Sequence, residues 1–358
     1  MSALFTETTL NGMPLGNRLV MAAMTRNRAT MDGRPTPMMT DYYRQRATAG
    51  LIISEAIQPT AASQGYPRTP GLTDRADQVG WQTVTDAVHI EGGRIIAQLM
   101  HAGRISHPTT LRGGTPVAPS AVRPAGSIFT GQGMAEFTTP RELSIPEIRR
   151  IVVEHVEAAQ RAMDAGFDGV EVHGHSGFLA HSFLASNTNL RTDEYGGSIA
   201  GRVRFVQELV GAIGEAVGPE RVGLRIGPGS TLNDIIETDT VDVYQALIAG
   251  LPRSLGYLSV LTAELDSPAL KMIHEVWNGP LMINAEGNAA RSAVEIVDVA
   301  QQCVERGADL VVLGAPFLAN PDLVRRLELE APLNAPRPEH FYGGTEIGYT
   351  DYPTLNTP

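Results

Sequence analysis

Two histidines and an arginine are the residues of this chain whose types and spacing most directly suggest chemistry. His173 and His175 are separated by one residue after a short apolar run, and Arg225 lies within another such run. Burying an arginine costs several kcal/mol unless a carboxylate or a ligand pairs with it. An imidazole and a guanidinium that converge can polarise a carbonyl by hydrogen bonding and by charge. A structural, hydrogen-bonded histidine is the alternative for His173.

The same two histidines also have the His-x-His spacing of a metal site. A metal site needs further ligands from other elements. No clear set of such ligands converges from the other candidate strand ends, so we predict no metal.

Eight short runs rich in β-branched residues alternate with longer stretches that have a 3.6-residue apolar period. The runs cover residues 18–24, 51–57, 94–101, 169–173, 222–226, 257–261, 281–284 and 310–313. Such alternation predicts an α/β protein with a parallel sheet, and eight βα units predict one closed (β/α)8 TIM barrel over residues 1–358. An open doubly wound sheet is the alternative. It normally carries a Gly-rich turn after its first strand, and no GxGxxG motif occurs here.

In a barrel of this kind the active site lies at the carboxyl ends of the strands. Further polar residues that end or follow the predicted strands are Thr25, Gln98, His101, Asn284 and Glu286. A lone glutamine or threonine at such a position can also be an interior polar group whose hydrogen bonds are satisfied within the barrel.

Two segments lie outside the βα repeat. Residues 103–141, rich in glycine and proline, separate the third strand from its helix, and a connection of this length inside a domain is usually functional, often a lid. That helix begins after Ser144, which forms a capping box with Glu147. Residues 332–358 form a tail with three tyrosines, which favours an ordered tail over a disordered one.

The composition excludes several classes of function. The chain has 358 residues, with 28 Lys+Arg against 39 Asp+Glu, so its formal net charge is −11 at pH 7. Nucleic-acid binding needs a basic face, and a membrane span needs an apolar run of ~18 residues. Neither partner is expected. The single cysteine, Cys303, predicts an inert structural thiol. We expect a cytoplasmic protein, a monomer or homodimer, that binds a small-molecule substrate.

Several longer motifs extend over nearly the whole chain. They are NRLVMAAMTR, GLIISEA, GGRIIAQLMHAGR, FDGVEVHGHSGF, SNTNLRTDEYGGS, FLANPDL and GYTDYP. With these motifs the sequence resembles the old yellow enzyme family of flavin-dependent ene-reductases. The RTDEYGGS stretch and the tyrosine-rich tail are the more specific of these signals.

The resemblance implies FMN at the barrel mouth, reduced by a nicotinamide nucleotide such as NADPH, and hydride delivery to an activated C=C bond. It places Thr25 near a flavin carbonyl and Ala56 beside the ring. It places Gln98 and Arg225 at the pyrimidine edge, where the cation would stabilise negative charge on the reduced flavin. By the same resemblance, His173 donates a hydrogen bond to the substrate carbonyl and Tyr342 lines the substrate pocket.

The sequence departs from the family at the substrate side of the site. The second carbonyl-binding residue, an Asn or His in the family, is Ser176 here, which donates a hydrogen bond over a shorter reach. The family's tyrosine proton donor is Phe178, which has no O–H. The pocket tryptophan is Met100, which makes the cavity more pliable. A pocket reshaped for another substrate with the same chemistry is one interpretation.

A second departure falls at the phosphate site. The family's Gly-Gly turn and Gly-Arg pair are Glu286-Gly287 and Gly314-Ala315 here. A lost charge-assisted hydrogen bond costs about 1.5–3 kcal/mol, and a carboxylate about 5 Å from a phosphate repels it by roughly 3 kcal/mol at an effective dielectric constant near 20. Together these predict FMN binding weakened on the order of 10³-fold. The backbone amides of Gly287 and Gly314 can still cradle a phosphate.

Three hypotheses about function follow. The first is an FMN enzyme acting on an α,β-unsaturated carbonyl compound, by reduction or by redox-neutral isomerisation or desaturation, since Phe178 replaces the usual donor. The second is a flavin-independent isomerase or cyclase that uses His173, His175 and Arg225 to polarise a carbonyl. The third is a non-catalytic scaffold or binding protein, against which the joint presence of Thr25, Gln98, His173 and Arg225 argues. The colour of the purified protein separates the first two.

Overall fold

Eight parallel strands close into a barrel, as the alternating runs predict. The computed structural model describes residues 2–285 and 292–355. A short antiparallel hairpin comes first, formed by β1 (Thr8–Leu10) and β2 (Met13–Leu15). The barrel strands are β3 (Leu19–Met21), β4 (Leu51–Ile53), β5 (Ile95–Leu99), β10 (Gly169–Gly174), β11 (Val222–Ile226), β12 (Tyr257–Thr262), β13 (Leu281–Ala285) and β14 (Leu310–Leu313), and they pair in that order, with β14 returning to β3. The doubly wound alternative is thereby excluded.

The strands are apolar runs because the sheet is covered on both sides, by helices outside and by side chains inside. The helices described are α1 (Pro37–Arg44), α2 (Arg75–Ile90), α3 (Ile145–Asp164), α4 (Leu179–Leu184), α5 (Ile199–Val217), α6 (Thr240–Ala249), α7 (Pro268–Val276), α8 (Ala293–Glu305), α9 (Ala315–Ala319) and α10 (Leu323–Glu328). The predicted capping box of Ser144 and Glu147 begins α3. The buried Cys303 lies on α8, where burial raises the pKa of its thiol to about 11.

The connection between β5 and α3 is not structureless. It contains a hairpin of β7 (Ser127–Phe129) and β8 (Met134–Glu136), and β6 (Val117–Ala118) pairs in parallel with β9 (Arg141–Glu142). Ile128 and Phe137 bury their side chains there. Its role as a lid stays a prediction.

The tail lies against buried arginines from the start of the chain. Arg26 donates hydrogen bonds to the carbonyls of Phe341 and Gly348, and Arg46 reaches the carbonyls of α9 and Tyr349. Within residues 2–285 and 292–355, no helix is long and apolar enough to cross a membrane.

Candidate active site

A buried carboxylate joins three strands inside the barrel. Glu171 on β10 is fully buried, and it pairs in register with Gln98 on β5. Its Oε1 accepts a hydrogen bond from Gln98 Nε2 at 2.7 Å, and its Oε2 accepts one from the Tyr257 hydroxyl at 3.0 Å. Tyr257 belongs to β12, so this contact crosses the interior past β11. It is possible because β11 carries Gly223, whose Cβ, if present, would lie 2.1 Å from the Tyr257 ring.

Arg225 lies on β11 beside His173, its register partner on β10. It is buried, and its guanidinium donates to Asn284 Oδ1 at 2.8 Å and to Ser259 Oγ at 3.4 Å, both neutral acceptors. Burial lowers the pKa of Arg225, and the charge of Glu171 opposes that shift. Burial likewise raises the pKa of Glu171, against the effect of Arg225. Each charge therefore reduces the cost of burying the other. Glu171 is thus the carboxylate that the buried Arg225 requires.

The two candidate histidines lie side by side after this network. The ring centroids of His173 and His175 are 6.1 Å apart and their planes differ by 16°. Burial lowers the pKa of His173 to about 3 and that of His175 to about 2, with Arg225 adding to both shifts, so both imidazoles are neutral at physiological pH. The Nδ1 of His173 and the Nε2 of His175 are buried without hydrogen-bond partners in the described structure.

The turn after β10 carries the two substituted family positions. Ser176 has a φ of 59° and its Oγ lies 2.5 Å from His175 Nδ1. Phe178 precedes α4 and presents its ring edge-on to His173, with centroids 5.1 Å apart. Where the family has a tyrosine hydroxyl, Phe178 places an apolar ring edge beside His173, the candidate hydrogen-bond donor to the substrate carbonyl.

The segment between β5 and α3 packs over this apolar surface. Ala56, Met100 and Phe178 form one buried cluster with Ile128 and Phe137 of that segment. Thr25, four residues beyond the end of β3, is half-buried. Residues 54–57 follow β4, which places Ala56 at the same end of the barrel as His173.

Two sequence candidates do not join the group. His101 is buried beside His155, and its Nδ1 accepts from the Gly103 amide. Tyr342 is 71% exposed and borders a cavity of about 380 Å³ whose lining also includes Phe129 and Arg68. None of the candidate residues at the strand ends lines that cavity.

The phosphate position is described in part. Gly314 precedes α9 and Ala315 is the first residue of that helix, so α9 begins without the family's arginine. Glu286 and Gly287 lie outside the described residues.

FMN can be tested against the interior network. One N–H of the Gln98 amide donates to Glu171, so its second N–H and its Oε1, turned away from the carboxylate, have no hydrogen-bond partner among the described residues. Arg225 supplies donors alongside it. One acceptor beside a cationic donor matches the N–H and carbonyl of the flavin's pyrimidine edge. The described residues fit the ring end of FMN, whereas Ala315 offers its phosphate no cation.

The sequence reading missed Glu171, Tyr257 and the groups behind His175. Glu171 alternates with His173 on one strand, and that period of two could have placed both on the inner face. Behind His175, the buried His181 bonds to Glu237 at 3.0 Å, and no sequence motif indicates that pair.

Comparison with known proteins gives a consistent result. Residues 3–334 match the model of the NADH:flavin oxidoreductase / NADH oxidase family. The chain is 40% identical to a probable flavin mononucleotide-dependent alkene reductase of Leishmania infantum, over 97% of this chain and 96% of the relative. It is 35% identical to 12-oxophytodienoate reductase 2 of Arabidopsis thaliana, over 99% and 96%.

Solved structures agree with these matches. Morphinone reductase superposes with a TM-score of 0.92 at 41% identity, covering 99% of this chain and 96% of that one. The old yellow enzyme homologue from Zymomonas mobilis superposes with a TM-score of 0.92 at 35% identity, covering 99% and 100%.

Proposed function

The chain belongs to the old yellow enzyme family of NADH:flavin oxidoreductases, and on that premise we propose that it reduces the C=C bond of an α,β-unsaturated carbonyl compound with FMN as cofactor and NADPH or NADH as reductant. The main support for this proposal is that Gln98, Arg225 and the neutral His173 converge at one end of the barrel, where Glu171 accepts a hydrogen bond from Gln98. In the net reaction the alkene gains a hydride at its β-carbon and a proton at its α-carbon.

The residues divide between cofactor and substrate. Gln98 and Arg225 would hold the pyrimidine edge of FMN, with Thr25 and Ala56 beside the ring, and Gly287 and Gly314 would offer amides to its phosphate. FMN, when bound, supplies hydride transfer between the nicotinamide and the alkene. Arg225 stabilises negative charge through a guanidinium that the barrel has already desolvated.

His173 polarises the substrate. Its Nδ1 is buried without a partner among the described residues, so the proton of the neutral ring resides on Nε2, which donates to the carbonyl oxygen. Withdrawing electron density from that oxygen makes the β-carbon electrophilic. Phe178 has no proton to give, so water supplies the α-proton. Slow protonation also favours redox-neutral isomerisation of the same substrates; desaturation, which removes a hydride and a proton, would need oxidised FMN as the hydride acceptor.

A second candidate function is a flavin-independent isomerase or cyclase on the same barrel. Ala315 favours it, because the first residue of α9 offers no charge to a phosphate. His173 and Arg225 would then act on the substrate carbonyl directly.

The absorption spectrum of the purified protein tests the choice. We expect a yellow protein, or a colourless one that binds added FMN and then oxidises NADPH in the presence of 2-cyclohexenone. A colourless protein with no response in an FMN titration contradicts the proposal and leaves the flavin-independent function.

A double variant tests the phosphate site itself. Ala315→Arg with Glu286→Gly restores a cation and removes an acid, so we expect FMN affinity to rise on the order of 10³-fold. Fluorescence quenching on titration with FMN measures it. Leu329→Arg, at an exposed position directly after α10, adds the same charge away from the site. An equal gain in that control contradicts the assigned phosphate position.

A further inference from the structure

The turn after β10 contains a serine and a histidine that hydrogen-bond to each other. His175 Nδ1 and Ser176 Oγ are 2.5 Å apart. Either atom can be the donor, depending on which nitrogen of the neutral imidazole carries the proton. The two arrangements differ in what the serine hydroxyl can do next.

The surroundings of the His175 ring decide between them. The ring is buried against Gly227, whose Cβ, if present, would lie 1.9 Å from His175 Cδ2. Its Nε2 is buried and has no hydrogen-bond partner in the described structure. A buried N–H without an acceptor is rarer and more costly than a buried acceptor without a donor. The proton therefore resides on Nδ1 and is donated to Ser176 Oγ.

With its oxygen accepting from His175, the Ser176 hydroxyl keeps its own proton free. Ser176 is half-buried, and its oxygen bonds to no other described side chain. In the opposite tautomer this proton would be used on Nδ1 and the serine would have nothing to donate. In His173 the proton is on the other nitrogen, Nε2, because there Nδ1 is the buried atom without a hydrogen-bond partner in the described structure. The two histidines thus leave two groups available as donors: the Nε2–H of His173 itself and, through His175, the hydroxyl of Ser176.

Hydrogen bonds from two neighbouring elements hold the backbone of this turn. Asn233 Nδ2 donates to the Ser176 carbonyl at 2.7 Å, and the Gly177 amide donates to His181 Nδ1 at 3.0 Å. The positive φ of Ser176 is maintained by these contacts from α4 and from the loop after β11. A non-glycine residue in that conformation persists only when its surroundings fix it.

We propose that His175 is a positioning residue that donates from Nδ1 to Ser176, and so makes the Ser176 hydroxyl the second hydrogen-bond donor to the substrate's carbonyl oxygen. This inference rests on the proposed function. It assigns a role to His175 and explains how a serine keeps a hydroxyl proton to donate at the position where the family has an Asn or His. Because both histidines are neutral, the two donations persist across physiological pH.

The tautomer is measured directly by two-bond ¹H–¹⁵N NMR on the full-length, ¹⁵N-histidine-labelled protein, with His175 assigned by the loss of its signals in His175→Asn. We expect the Nδ1–H form at His175 and the Nε2–H form at His173. Ser176→Ala removes the acceptor, so the preference at His175 should be lost. An Nε2–H form at His175 in the unmodified protein overturns the proposal.

Steady-state kinetics with NADPH and 2-cyclohexenone test the role of the hydroxyl. Ser176→Ala should raise KM for the enone about tenfold, the effect of one neutral hydrogen bond, with KM for NADPH unchanged. Ser176→Asn, which supplies an amide donor and tolerates a positive φ, should restore KM. His175→Asn should retain more affinity than His175→Leu, because only the amide can still donate near the Nδ1 position. Ser254→Ala, at an exposed position, is the control.

The possible outcomes distinguish a failure of the Ser176 donor role from a failure of the proposed function. An enone KM in Ser176→Ala equal to that of the parent protein overturns the donor role. A protein that turns over no enone contradicts the proposed function instead, and the NMR result then still decides whether His175 prepares the serine hydroxyl.

Discussion

At the scale of single residues, Glu171 determines how its neighbours are oriented. It takes one hydrogen bond from Gln98 and one from Tyr257, and its charge balances that of Arg225. The sequence predicts that Arg225 needs a carboxylate or a ligand, but it does not identify the carboxylate. Glu171 meets Gln98 through strand register and Tyr257 across the barrel, and a single sequence contains neither relation.

We predict that Glu171→Leu destabilises the protein by about 2–6 kcal/mol. It leaves the Gln98 amide and the Tyr257 hydroxyl buried without acceptors, at roughly 1–3 kcal/mol each. Glu171→Gln keeps an oxygen for Gln98 and a group that Tyr257 can bond, so its loss should be smaller. Urea unfolding of the three proteins measures the free energies. Equal stability of the leucine variant and the parent would show that the network contributes nothing to folding.

At the scale of elements, the tail is attached through aromatic rings and arginines. Tyr349 stacks on Tyr42 of α1 with centroids 4.2 Å apart and planes 7° apart. The guanidinium of Arg28 lies 4.2 Å from the Tyr349 ring and that of Arg26 lies 4.9 Å away. The tyrosine content of the tail indicates order, but its partners lie some 300 positions earlier, as in the bond from Arg46 to the Tyr349 carbonyl (303 positions apart). No local pattern predicts them.

Two substitutions at Tyr349 separate the ring from its hydroxyl. Tyr349→Ala should cost about 3–5 kcal/mol, since a fully buried aromatic ring and its cation contacts are lost. Tyr349→Phe should be neutral or slightly stabilising, because the hydroxyl is buried without a partner in the described structure. Thermal unfolding measures the change in stability of both variants. A Phe variant as unstable as the Ala variant would mean that the hydroxyl has a partner.

At the scale of the whole molecule, the eight strands are predictable because each is a short apolar run covered on both faces. The ends of the strands are harder to predict from the sequence. The first run covers residues 18–24, yet β3 is only Leu19–Met21. The residues beyond it leave the ladder, and Arg26 hydrogen-bonds instead with Glu55 and with the tail. The missed parts of the candidate site are those fixed by contacts between strands, such as Glu171 with Tyr257.

One further buried carboxylate, Glu55, connects the barrel to the arginines that hold the tail. It follows β4, and its side chain accepts from the Arg26 amide at 3.3 Å and from the Tyr43 hydroxyl at 3.4 Å. Burial raises its pKa from 4.5 to about 7, against the opposing effects of Arg26, Tyr43 and Arg28. Tyr349, packed on Arg26 and Arg28, belongs to the same cluster.

This carboxyl makes the stability of the whole protein depend on pH. Because the folded-state pKa lies above the unfolded value, the unfolded chain releases its proton first as pH rises. The contribution of Glu55 is therefore complete below about pH 4.5 and is lost as pH rises to about 7, by up to about 3 kcal/mol. Glu55→Gln retains an acceptor and cannot ionise, so the difference in unfolding free energy between parent and variant isolates this titration from all others. We expect the parent to lose stability relative to Glu55→Gln between pH 5 and pH 8, in urea unfolding at constant ionic strength. Parallel profiles over that range would show that Glu55 is already ionised at pH 5, with Arg26 and Arg28 outweighing its burial.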